Sequence, residues 1–170
     1  MNAPIRPIRG RQMRGVGFNP PATQGGVNGG VAMPPQVDLW EDFYVYSAAL
    51  GNIAAAATVT VNIQIQADSD FEWIESTSSG NQHGASEPWL DNIILPINVQ
   101  ILDSGSGRQL FSQALPLTSI SGNGKQPFIL PVSRLFQSRS NIAVSAVNFG
   151  GSQYDNVVWN FIGRKIFQKG

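Results

Sequence analysis

The stretch Thr58-Val59-Thr60-Val61-Asn62-Ile63-Gln64-Ile65-Gln66 decides the fold class. Val59, Val61, Ile63 and Ile65 alternate with Thr58, Thr60, Asn62, Gln64 and Gln66. Successive side chains of a strand point to opposite faces, so this period of two marks a half-buried strand with one face in a core and the other in water. Working upstream, Gly51-Asn52 signals a turn in the small-residue run Ala48–Ala57. Val37–Leu50, with Trp40, Phe43, Tyr44 and Tyr46, reads as a lead-in followed by a strand.

Downstream, the acidic turn Asp68-Ser69-Asp70 leads into a strand over Phe71–Thr77, and Ser78–Ser86 reads as a polar exposed loop. Trp89 and Leu90 precede Ile93–Asp103, where Ile97, Val99 and Ile101 alternate with Asn98 and Gln100. Ser104-Gly105-Ser106-Gly107 has hairpin composition, with Arg108–Ala114 as the return strand. Gly122-Asn123-Gly124 is a further turn. Phe128–Val132, flanked by Pro127 and Pro131, reads as a short edge strand. Arg134–Ser140 suits a single helical turn, and Ile142–Phe149 with Val157–Phe167 reads as a final strand pair around Gly150-Gly151. Gly163 inside the last strand signals a bulge or a close backbone approach. About seven or eight short strands, turn signals roughly every ten residues and the lack of an amphipathic helix give an all-β chain: a single antiparallel β-sandwich, jelly-roll-like.

Residues 1–36 break this pattern. They are rich in Gly and Pro, carry Arg6, Arg9, Arg11 and Arg14 without any acid, and scatter Ile5, Ile8, Met13, Val16 and Phe18 singly. Such a segment cannot bury enough surface to offset an ordering entropy of roughly 1–2 kcal/mol per residue. The expected organisation is therefore a long extended arm over residues 1–36 and a sandwich domain over 37–170. The arm would order against a neighbouring subunit, with Ile5, Ile8 and Phe18 in pockets and Arg6, Arg9, Arg11 and Arg14 on acidic groups. Four charges with no interleaved aromatic residues make nucleic acid a poor partner.

The net charge is zero, but it is segregated: +4 over residues 1–36, −10 over 37–103 and +6 over 104–170. Opposite blocks pair either within one sandwich, whose sequential halves interdigitate, or between copies. No apolar run approaches the roughly 20 residues of a membrane span, and the basic N-terminus lacks the apolar stretch of a signal peptide.

Candidate chemistry is sparse. With no Cys and one histidine, any triad or histidine-based zinc site would have to use His83, whose nearest acidic residue in sequence is Glu87. Asp68, Asp70 and Glu72 could hold a hard cation, but the glycine and distal glutamate of a helical calcium loop are missing; a solvated acidic face is the expectation. Glu72 and Glu75 would fall on opposite faces of a regular strand, which excludes a glycosidase pair unless the strand is irregular. No catalytic, cofactor-binding or metal-binding residues are assigned, and the expectation is a non-enzymatic protein.

Three runs resemble structural proteins of tailed bacteriophages: Ile97-Asn98-Val99-Gln100-Ile101-Leu102-Asp103-Ser104-Gly105-Ser106-Gly107-Arg108-Gln109-Leu110, Gln126-Pro127-Phe128-Ile129-Leu130-Pro131-Val132-Ser133-Arg134-Leu135-Phe136, and Phe161-Ile162-Gly163-Arg164-Lys165-Ile166-Phe167. The turn Asp68-Ser69-Asp70-Phe71 belongs with them, and the likeness spans about residues 40–168. The resemblance implies a small β-sandwich virion component assembled in the host cytoplasm: a capsid cement or decoration protein bound to the major capsid protein. A neck, collar or tail ring subunit is the alternative, and a homo-oligomer within the assembly is implied. A carbohydrate-binding adhesin, stacking sugars on Trp73, Trp89 and Tyr154, is a weaker expectation from the aromatic residues themselves.

Overall fold

The computed structural model describes residues 39–85 and 95–168. The strands are β1 (Leu39–Ile53), β2 (Thr58–Gln64), β3 (Asp70–Gln82), β4 (Ile97–Asp103), β5 (Arg108–Gln109), β6 (Leu115–Pro116), β7 (Phe128–Phe136), β8 (Asn141–Asn148) and β9 (Tyr154–Gln168). A 3-10 turn at Leu117–Ser119 is the only helical element among the described residues.

One sheet has the order β1-β9-β3-β7 and the other β2-β8-β4-β5, with β6 also on β4. β5 and β6 meet different ends of β4 (Asp103↔Arg108, Asn98↔Pro116), so together they form one broken edge strand. Apart from β4, β5 and β6, which share a sheet, successive strands cross between the two antiparallel sheets, and the strand order is that of a jelly roll. The arm residues Ile5, Arg6, Ile8, Arg9, Arg11, Arg14 and Phe18 lie outside the described residues.

The expected alternation in the deciding stretch is observed. Thr58, Thr60, Asn62 and Gln64 are exposed, while Ile63 and Ile65 are buried. Across from them, Phe71, Trp73, Phe136, Trp159 and Phe161 fill the core, with Trp73 and Trp159 each 4.7 Å from Phe161 by ring centroids. Each such buried apolar side chain contributes roughly 1.5–3 kcal/mol. Two buried polar side chains in the core are well partnered: Trp159 Nε1 donates to Ser76 Oγ. Asn148 Nδ2 donates to the carbonyls of Ile53, Ala54 and Ser152, and its Oδ1 accepts from Gly150 N.

Several boundaries differ from the sequence reading, each for a pairing reason. Ser78–Gln82 is not a loop, because β9 holds it extended from Ser79↔Val158 to Gln82↔Tyr154. Gly51 is a bulge in β1 at φ +69°, and the turn comes later, closed by Ala57 N to Ala54 O at 3.1 Å. Arg134–Phe136 continues β7 because Phe71↔Phe136 pairing holds it straight. The expected return strand is short: Arg108 and Gln109 pair with β4, and Leu110 N adds one backbone bond to Ile101 O at 3.0 Å. The last two strands do not pair with each other: β8 lies between β2 and β4, and β9 between β1 and β3.

Gly163 is the close approach the sequence signals. A Cβ there would lie 1.8 Å from the Glu72 carbonyl oxygen, where β3 bulges between Trp73 and Glu75. Gly163→Ala is expected to cost at least about 2 kcal/mol, read as a lowered urea midpoint, because the obstacle is backbone and cannot swing aside.

Candidate interaction surface

The bulge at Ile74 sets which side chains leave the first sheet. Trp73 and Ser76 both face the core, so Glu72 and Glu75 both face outward. The irregularity that would put the two glutamates on one face is therefore present. The register then builds two rows across the outer face: Phe43, Arg164, Glu72 and Leu135, and beside it Val45, Ile162, Glu75 and Ile129. Apolar residues occupy the flanks of both rows, while the middle holds Arg164 and Glu72 in the first and Ile162 and Glu75 in the second. Phe43 is 72% exposed and Ile129 and Leu135 are at least half exposed.

The charges in the middle are tied together. Arg164 donates through Nε to Glu72 Oε2 and through Nη1 to Glu41 Oε2, both at 2.6 Å, and Ser133 Oγ donates to Glu72 Oε1 at 2.5 Å. The Ser133 hydroxyl and then the Arg164 guanidinium hold the Glu72 carboxyl below its ordinary value of 4.5.

Beside this face, a groove of about 490 Å³ lies between β7 and the β5–β6 connection. It is lined mainly by apolar side chains, among them Trp73, Phe111, Ile120 and Leu130, with Arg108 and Arg134. Val132, also lining it, is 80% exposed. Arg134 Nη2 lies 3.5 Å from the buried Asp103, while its buried Nε has no hydrogen-bond partner among the described residues.

The other candidates resolve differently. Asp68, Asp70 and Glu72 do not converge: Asp68 meets Lys165 Nζ at 3.3 Å, Asp70 accepts from Ser138 N at 2.8 Å, and Glu72 serves Arg164. Among the described residues, no group of three or more His, Asp or Glu side chains is placed to hold a metal. Trp73 and Tyr154 are buried and offer no stacking platform; Trp89 lies outside the described residues. His83 stands exposed in the turn after β3, and it is paired. Its Nδ1 lies 2.6 Å from Asp155 Oδ2, and Gln153 and then His83 hold the Asp155 carboxyl below its ordinary range. The partners are separated by 72 positions in sequence, so no local motif could reveal the pair.

No family model matches the chain, and no curated protein matches it. Among solved structures, it is similar to part of dimeric latent PorU from Porphyromonas gingivalis, at 12% identity and a TM-score of 0.36 over 82% of this chain. The chain spans 14% of that protein's length.

The Glu72 carboxylate gives a pH signature. Its lowered pKa means that its contribution is full above the ordinary glutamate range and is lost as pH falls through the folded-state value. Glu72→Gln should lower the urea midpoint at pH 7. The gap from the parent protein should close as the pH is lowered into the acid range; a gap independent of pH would assign the effect to packing.

Proposed function

We propose that this chain is a non-enzymatic virion structural protein of a tailed bacteriophage, a cement or decoration subunit that docks on the major capsid protein lattice. The observation that carries the reading is the outer face of the first sheet, where Phe43, Val45, Ile129 and Leu135 stand in water around the Glu41–Arg164–Glu72 chain. Large apolar side chains left in water on one sheet face, set around an ion-paired centre, suit a surface that is covered by another protein. The jelly roll supports the reading at the level of fold analogy, since viral capsid domains use it, as do lectins and cupins. The resemblance of the 97–110, 126–136 and 161–167 runs to phage structural proteins points the same way.

Within the virion, ion pairing favours the lattice over a neck or tail ring. Part of the charge that a ring could match between subunits is already used inside the sandwich, where Glu41, Asp68, Glu72 and Asp103, four of the ten acids of residues 37–103, pair with Arg134, Arg164 and Lys165. In this reading residues 1–36 extend the contact, with Ile5, Ile8 and Phe18 in pockets and Arg6, Arg9, Arg11 and Arg14 on acidic groups of neighbouring subunits.

Mass spectrometry of phage particles purified from cells expressing the chain tests the reading. The chain should sediment as a stoichiometric particle component, and recovery only in the free fraction would refute it. Phe43→Ser with Leu135→Ser should leave the fold intact and reduce particle-bound protein about tenfold or more, the cost of losing large apolar side chains from an interface. Replacing Arg6, Arg9, Arg11 and Arg14 with Ser should weaken incorporation, most of all at low ionic strength; retention equal to the parent at every salt concentration would remove the arginines from the contact.

A further inference from the structure

A sandwich of two open sheets has edges, and three of the four here are blunted. β1 carries Glu41 and Asp42 and bulges between Ala49 and Ile53. β7 carries Pro131 and loses register opposite Trp73–Glu75. The edge beyond β4 is broken into β5 and β6, two residues each. Charges, prolines, bulges and short strands are the devices that keep free edges from pairing. β2 has none of them. Over residues 58–64 it contains no charge, Pro or Gly, and it keeps unbroken register with β8 from Thr58↔Val147 to Gln64↔Asn141.

The direction of its free backbone groups follows from the two ends of the ladder. Asn148 N donates to Ala57 O, and Ile65 N donates to Ser140 O. Hydrogen-bonded and non-hydrogen-bonded pairs alternate in an antiparallel ladder, so the odd-numbered residues bond to β8. The N–H and C=O groups of Thr58, Thr60, Asn62 and Gln64 therefore point away from the sheet, where no strand pairs with them among the described residues. The next N–H in that series, of Gln66, is taken by Tyr46 Oη at 3.0 Å. The core-facing side chains tell the same story: Val59 and Val61 are only half-buried, whereas Ile63 and Ile65 are buried.

We propose that β2 is a self-pairing edge, joined antiparallel to β2 of a second copy about a two-fold axis, so that the two β2-β8-β4-β5 sheets run on as one. This rests on the sandwich alone and stands apart from the virion reading. In a two-fold contact each residue near the axis meets its own kind, so a charge there would face itself. β2 carries no charge, and neither do its outward neighbours Asn141, Ala143, Ser145 and Val147 on β8. Glu41 and Asp42 would make β1 a poor self-partner. A register centred on Val61 sets Thr60 against Asn62 and Thr58 against Gln64, using every outward backbone group. It also sets Val61 against Val61 and Val59 against Ile63, completing their burial.

Light scattering on the full-length protein tests this with two variants that leave the β8 ladder intact. Asn62→Pro removes an N–H that β8 does not use, and Thr60→Lys places like charges across the axis. The full-length chain should have at least twice the 18.3 kDa monomer mass, and each variant should halve it. Because the chain has no cysteine, Val61→Cys gives a clean reporter and should form a disulfide-linked dimer on oxidation. A monomer mass for the parent, a mass that neither variant changes, or the lack of a Val61→Cys cross-link would overturn the proposal.

Discussion

Strand β9 can lie between β1 and β3 only because residue 163 has no side chain. The Glu72 carbonyl occupies the space where a Cβ would be, and β3 takes up the mismatch as a bulge. The bulge shifts the in-and-out phase of β3 by one residue. Trp73 stays in the core and donates its indole N–H to Glu75 O at 2.7 Å, while Ser76 comes inward to accept from the Trp159 indole. The same shift brings Glu72 and Glu75 out together. One glycine thus sets both the polar bonds inside the core and the charge pattern outside it.

The charges are organised by the same central strand. Arg164 and Lys165 are adjacent on β9 and point to opposite faces. Arg164 joins Glu41 and Glu72 outside; Lys165, 5% exposed, lies 4.4 Å from the Tyr44 ring centre and reaches Gln66 and Asp68 at the end of the core. A buried ammonium needs such a set of partners, since each charge withdrawn from water is costly unless matched. The two basic residues thereby fix the sheet edge β1 and the Gln66–Asp68 turn relative to β9.

What the sequence made legible follows from range. The alternation in Thr58–Gln66, the edge character of the proline-flanked strand from Phe128 and the constraint at Gly163 are local, and the structure has each of them. Gly51 reads as a turn in sequence because glycine serves a bulge as readily as a turn. Ser78–Gln82 reads as a loop because its polar composition carries no trace of its long partner β9. The assignment of β8 and β9 to different sheets, the outer-face rows and the His83–Asp155 pair all depend on which distant strands meet, and periodicity does not encode that.

The ion pairs described above join acids from the first part of the chain to bases from the last, and the strand pairings do the same: β2 waits for β8, and β1 and β3 for β9. On a ribosome, residues 37–103 emerge with ten units of negative charge and no lysine or arginine, and with none of these pairings available. Self-repulsion keeps such a nascent segment expanded and soluble, and the cost of closing long loops delays its ordering. The sandwich is thus a fold that closes only once β9 has been made, with that strand acting as the last piece of the core.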